Sequence, residues 1–152
     1  MQTEAQFKDY ISKMLANNRF GVLATESKGQ PHASFIAITA TDNLLQLYFA
    51  TYRNTQKYSN LMQNDNVSIL IENRNAHENV QQISILTAFG KAKELKEENY
   101  DAVLNAHLVV HPEQKTFLKS TDCTIFVVNV DAYQLVLSID DIKWWKTKTQ
   151  IL

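Results

Sequence analysis

The chain has 152 residues but only one cysteine, three glycines and two prolines, and each scarcity removes a class of answers. With Cys123 alone, no intrachain disulfide can form. A thiol without a neighbouring cation or a CxxC partner reads as a small buried hydrophobe rather than a nucleophile. Three glycines are too few for a collagen-like repeat or a glycine-rich dinucleotide loop, and two prolines argue against a linker-rich chain. The longest apolar run, near Ile125 to Val130, falls far short of the ~20 residues that a membrane-spanning helix needs. No charge of one sign dominates either. Fifteen basic against sixteen acidic residues leave a net charge of −1, scattered apart from a mixed run at Lys91 to Glu98, which suits neither nucleic acid nor an anionic membrane. The start Met1-Gln2-Thr3-Glu4-Ala5 has neither a basic nor an apolar leader, so a cytoplasmic location is the default expectation. One domain covering 1–152 is the most economical organisation, and there is no internal repeat.

What is present is a sequence of short periodic segments. Phe7, Tyr10, Ile11, Met14 and Leu15 recur at helical spacing after Thr3, a suitable N-cap, and predict a first helix to Asn18. Strands are predicted over Phe20 to Thr25, His32 to Thr41 and Leu44 to Thr51, joined by turns at Lys28-Gly29-Gln30 and Asp42-Asn43. A helix over Asn54 to Asn64 carries Tyr58, Leu61 and Met62 as its apolar stripe, and the chain then re-enters a strand from Val67 to Glu72. Asn73 to Asn79 reads as a loop. Val80 to Leu95 reads as a long strand in which Gly90 marks a bulge or a close backbone approach. A helix over Glu97 to Val110 should stop before Pro112, with a short helical piece through Phe117 and Leu118. Two last strands, Thr124 to Val130 and Ala132 to Ser138, are divided at Asp131. About six strands at hairpin spacing favour an antiparallel barrel over a doubly wound parallel sheet.

The chemistry concentrates in one turn. Thr51, Arg53, Thr55 and Lys57 place two hydroxyls and two cations where a helix N-terminus presents unpaired N–H groups, a combination that suits a phosphate monoester. The plainer reading is an ordinary capped helix with a solvent-facing lysine. His107 and His111 have the i, i+4 spacing of metal ligands, but Pro112 and the lack of a third ligand favour a solvated helix end. His32 and His77 lie near turns without a paired nucleophile or acid. The adjacent Trp144 and Trp145 point to opposite faces of an extended segment, one ring toward the core and one toward a pocket or dimer seam.

The stretch from Leu47 to Ile71 resembles the phosphate-binding segment of the pyridoxamine 5'-phosphate oxidase-like, FMN-binding split-barrel family, which runs strand, Thr-x-x-x-Ser-Arg-Lys, helix, Asn-Pro, strand. Here it reads Thr51, then Thr55-Gln56-Lys57, then Asn64-Asp65, so that Gln56 replaces the arginine and Asp65 the proline. The likeness extends back to Gly29 through Phe35 and forward to Ala88 through Leu95. It implies a mainly β, α+β fold, a six-stranded antiparallel split β-barrel with flanking helices, working as a homodimer with FMN at the subunit interface. It further implies that Lys57, Thr51 and Thr55 hold the phosphate, that Ser34, Phe35, Ile36 and Ala50 line the isoalloxazine edge, and that Trp144 or Trp145 approaches the ring. Arg53 stands two residues before Thr55 to supply the missing charge. Ile85 stands where the oxidases carry a glutamine, and the basic and histidine residues that clasp pyridoxine phosphate have no match in Ser138 to Leu152. The expectation is therefore an FMN-dependent oxidoreductase for an unidentified small molecule other than pyridoxamine phosphate. It needs no dedicated acid or base residue, and a reduced nicotinamide would act as a transient donor. The alternative is a non-catalytic binder or carrier of flavin, a deazaflavin or haem.

Overall fold

The computed structural model describes residues 3–73 and 84–147. His77, most of the predicted loop after Asn73, and the first part of the predicted strand from Val80 lie outside them. Helix α1 (Glu4–Asn17) opens with the expected cap: Thr3 Oγ1 accepts from the Gln6 amide and the Gln6 side chain accepts from the Thr3 amide. Its buried face, Phe7, Ile11 and Met14, joins the main core.

The strands are β1 (Phe20–Ser27), β2 (Gln30–Ala37), β3 (Thr39–Ala40), β4 (Gln46–Tyr52), β5 (Asn66–Glu72), β6 (Ile85–Glu94), β7 (Cys123–Ser138) and β8 (Asp141–Lys146). They form one antiparallel sheet in the order β2-β1-β5-β6-β7-β4-β3, with β8 added beside β7. β2 and β3 stand at opposite ends of this order yet are separated only by Ile38. A single stretch of chain therefore pairs with β1 before Ile38 and with β4 after it, and this curls the sheet into a split barrel. Helices α2 (Gln56–Gln63), α3 (Tyr100–Val110) and α4 (Lys115–Leu118) flank it.

The architecture matches the expected antiparallel split barrel, with differences in strand count. The predicted strand His32 to Thr41 is interrupted at Ile38. The two last predicted strands are one continuous β7, because Asp131 stays extended instead of turning. β7 serves two neighbours on one side, β4 along residues 123–129 and β8 along residues 132–138. β8 itself comes from the segment that the sequence left as a tail.

Local chemistry explains the turns. Lys28 and Gly29 both take positive φ, +53° and +80°, the pair of left-handed residues that a two-residue hairpin requires. Leu44 also has positive φ, +65°, and is held there by burial and by Tyr133, whose hydroxyl donates to the Leu44 carbonyl at 2.7 Å. The barrel interior is filled by Leu23, Leu47, Phe49, Ile69, Ile71, Leu86, Phe126, Val128, Tyr133 and Leu135. A second layer lies outside β4 and β7, where Ala50, Cys123 and Ile125 pack under Leu118 and residues of α3. Both faces of β4 are thus covered, and Thr51 sits buried at its end.

Gly90 is the predicted bulge: the β6–β7 register shifts between Phe89 and Gly90, and a Cβ at Gly90 would stand 2.1 Å from the Asn129 carbonyl oxygen. Gly90→Ala should therefore lower unfolding stability by about 3 kcal/mol, measured by urea denaturation, because backbone rather than a flexible side chain has to move.

Candidate functional site

β4 ends at Tyr52, the chain turns over Arg53 and Asn54, and α2 begins at Gln56 with Thr55 as its N-cap, whose Oγ1 accepts from the Tyr58 amide at 3.3 Å. The Thr51 and Thr55 hydroxyls lie 2.9 Å apart, and each is within hydrogen-bonding distance of the Tyr52 carbonyl, at 3.1 and 2.9 Å. The structure brings the two predicted hydroxyls together and engages both in building the turn.

The two predicted cations differ. The Arg53 guanidinium donates to the Thr121 carbonyl at 2.9 Å and pairs with Glu94 at 3.4 Å. Glu94 also accepts from Thr124 Oγ1 at 2.7 Å and from the Tyr58 hydroxyl at 3.3 Å. Arg53 thus ties the turn to β6 and to the segment before β7. Lys57 is half-buried and has no hydrogen-bond or ion-pair partner among the described residues. Burial holds its ammonium pKa below the usual lysine value. A cation partly withdrawn from water without a counter-ion favours an incoming anion.

On β2 the predicted contact residues divide between faces. Ile36 is buried in the barrel core, and Ser34 follows on the same face with its Oγ buried and unpartnered. His32 continues that face, with its Nδ1 also buried and unpartnered. It stands opposite Thr25 in the β1–β2 register; Thr25 Oγ1 accepts from Asn60 Nδ2 at 3.1 Å, and Asn60 in turn accepts from Gln56 Nε2 at 2.9 Å. A polar row therefore runs from His32 and Ser34 on β2 across Thr25 on β1 to Asn60 and Gln56 on α2. Sequence reasoning passed over Thr25 and Asn60, and it set His32 aside although its i, i+2 relation to Ser34 puts both on one face. Phe35 points the other way, 58% exposed, stacked on Phe20 with ring centroids 5.4 Å apart. The Ala50 methyl is in the outer apolar layer and Ile36 is in the core, so each offers a site only its backbone.

Trp145 is 9% exposed, stacks on Tyr133 at 5.6 Å and has the Lys8 ammonium 4.7 Å from its ring centroid. Trp144 is 53% exposed and stacks on Phe89. One ring is in and one is out, as the adjacency predicts. Thr51 pairs with Thr124 and Trp145 with Tyr133, so the tryptophans lie about 30 Å along β7 from the Thr51 turn of the same chain.

His107 and His111 are not a solvated helix end. Both are buried, because α3 lies on the barrel and presents its C-terminal turn to the Ile38 bend. Burial, then the neighbouring His111, push the His107 imidazole down to about 4, with Glu113 opposing. No group of three metal-ligating side chains converges among the described residues. Burial raises the Cys123 thiol to about 11, in keeping with an inert cysteine. Among the described residues no helix is long and apolar enough to cross a membrane.

Comparison with solved structures returns the same fold. A haem binding protein from Mycobacterium smegmatis superimposes with a TM-score of 0.84 at 20% identity, over 96% of this chain and 59% of that one. A FAD-binding protein from Mesorhizobium loti gives 0.65 at 19% identity, over 82% and 89%. A protein from Clostridium acetobutylicum, related to general stress protein 26 of Bacillus subtilis, gives 0.73 at 11% identity, over 95% and 97%. At these identities the likeness is one of fold, and the chain spans 59% of the length of the Mycobacterium protein. Curated protein sequences yield no match. The sequence pattern of the family described as pyridoxamine 5'-phosphate oxidase matches residues 7–136, and on that match the chain belongs to the pyridoxamine 5'-phosphate oxidase family.

Proposed function

We propose that the chain is an FMN-binding oxidoreductase that grips the phosphate at the start of α2 and works as a homodimer on a small molecule. The observation that carries this reading is Lys57: a half-buried ammonium, destabilised by desolvation and lacking a counter-ion among the described residues, one residue inside a helix N-terminus. A phosphate there meets the helix amides and the cation together. The Ser34 Oγ and His32 Nδ1 are buried polar atoms that gain a hydrogen-bond partner when a polar ligand arrives. The flavin supplies the redox chemistry when bound, and a reduced nicotinamide is a suitable transient donor. The protein's part is to neutralise the phosphate, orient the ring along β2 and keep water from it.

The ring needs a second wall. Phe35, Val22 and Leu70 are exposed and stand side by side across β2, β1 and β5, an apolar row that suits a second copy of the chain. Trp144, about ten residues along β7 from the Thr51 turn of its own chain, would come to such a site from the partner. The competing reading is a binder or carrier of haem or a deazaflavin without turnover. It is favoured by Gln56 in place of the family's arginine and by the engagement of Arg53 with Glu94. The haem binding and FAD-binding descriptions of structural relatives suit either reading.

The absorption spectrum of the purified protein, before and after added FMN, separates the two. Flavin bands that remain after desalting support the proposal, whereas a Soret band, or a protein that releases FMN completely, overturns it. Lys57→Ala should weaken FMN affinity at least tenfold, about 1.4 kcal/mol, and move Tm without FMN by less than about 2 °C, since a partly exposed lysine adds little to folding. Arg53→Ala should behave in the opposite way, lowering Tm by about 2–4 °C and changing FMN affinity less than about threefold, as titration calorimetry and thermal melts will show. Phe35→Glu should reduce both dimer mass in sedimentation and FMN affinity, because an apolar seam then has to bury a carboxylate.

A further inference from the structure

We propose that His107 is the proton sensor of a latch, anchored by His111, that holds α3 to the bend between β2 and β3. His111 Nε2 lies 2.8 Å from the Ile38 carbonyl, which only accepts, so Nε2 carries the proton. His107 Nδ1 lies 3.0 Å from Thr39 Oγ1. The two contacts fall on consecutive residues, Ile38 and Thr39, where the chain leaves β1 and joins β4. The remaining nitrogens, His107 Nε2 and His111 Nδ1, are buried without hydrogen-bond partners, and the ring centroids are 4.6 Å apart. Whichever way the Thr39 contact runs, a second proton on His107 charges a ring whose Nε2 is buried without a hydrogen-bond partner, against a second imidazole.

The charged groups around the pair offset this only in part, since burial and His111 outweigh Glu113. From the turn after α3, the half-exposed Glu113 carboxylate lies 3.7 Å from His111 Nδ1, on the far ring. From the α1–β1 junction, Arg19 donates to the Val110 carbonyl at 2.6 Å and sits over Phe20, whose ring edge meets His111. From the turn after β3, Asp42 rims the clefts beside α3.

The mechanical setting makes the contacts count. α3 is flanked by clefts of about 540 and 400 Å3, one toward β4 and one toward α1; Tyr100, Val103, Leu104 and Leu108 hold it on the outer apolar layer, and the two histidines hold its C-terminal turn to the Ile38 bend. With His107 neutral when closed and free to protonate when open, the sign follows. Opening becomes easier as pH falls below about 6.5, the ordinary imidazole value, and the effect levels off near 4, where the closed form also takes the proton.

The test is amide hydrogen exchange of α3 and Ile38 in the full chain without added flavin, corrected for the intrinsic pH dependence of exchange, which keeps it independent of the FMN reading. Between pH 7 and 4.5 the opening constant of wild type should rise roughly 50-fold, as one such proton requires. His107→Asn keeps an amide N–H toward Thr39 and cannot be protonated, and its opening constant should change less than about threefold. If His107→Asn shows the wild-type rise, the latch is wrong. If that variant does not fold, NMR titration of the wild-type ring decides: His107 neutral to about pH 4 while α3 exchange accelerates supports the latch, and His107 titrating near 6.5 with α3 exchange unchanged overturns it.

Discussion

One constraint organises the molecule: a single stretch of chain has to serve both ends of a curled sheet. Ala37 is the last residue paired with β1 and Thr39 the first paired with β4, so the whole change of partner falls on Ile38. Its backbone groups, cut off from both ladders, are satisfied elsewhere, the amide by the Arg19 carbonyl at 2.9 Å and the carbonyl by His111 at 2.8 Å. The Ile38 side chain remains in the core. Without that bend β3 cannot reach β4, and the interior from Leu23 to Leu135 is not enclosed.

The turn at Thr51 to Lys57 shows how folding and binding divide the same residues. Hydroxyls and cations that look alike in sequence separate by what they touch. Thr51 and Thr55 stabilise the turn, Arg53 ties it to Glu94 and Thr121, and only Lys57 is left half-buried with its charge uncompensated among the described residues. An exposed ion pair such as Arg53 with Glu94 adds on the order of 1 kcal/mol or less, so Arg53 acts chiefly as a positioning contact. On the proposed reading, that asymmetry leaves Lys57 as the side chain that meets the anion.

The outer surface is divided as well. Over β4 and the first half of β7, α3 and α4 cover an apolar layer of Ala50, Cys123 and Ile125. Over β2, β1 and β5 the row of Phe35, Val22 and Leu70 stays open. The same sheet thus has one flank sealed within the chain and another that is apolar and free, which is the basis for placing a partner copy there.

The antiparallel barrel, the capped first helix, the Lys28-Gly29 hairpin and the Gly90 bulge were legible in the sequence, because each rests on near-neighbour rules of periodicity, φ preference and side-chain volume. So was the corner of the candidate site, since a strand, a Thr-rich turn and a helix start are local. Tertiary structure alone decided that Arg53 pairs with Glu94, that β7 runs unbroken through Asp131, that Trp145 stacks on Tyr133 and Trp144 on Phe89, and that His107 and His111 are buried on the Ile38 bend. Each of these depends on which distant strand or helix arrives alongside, and a linear pattern carries no record of that.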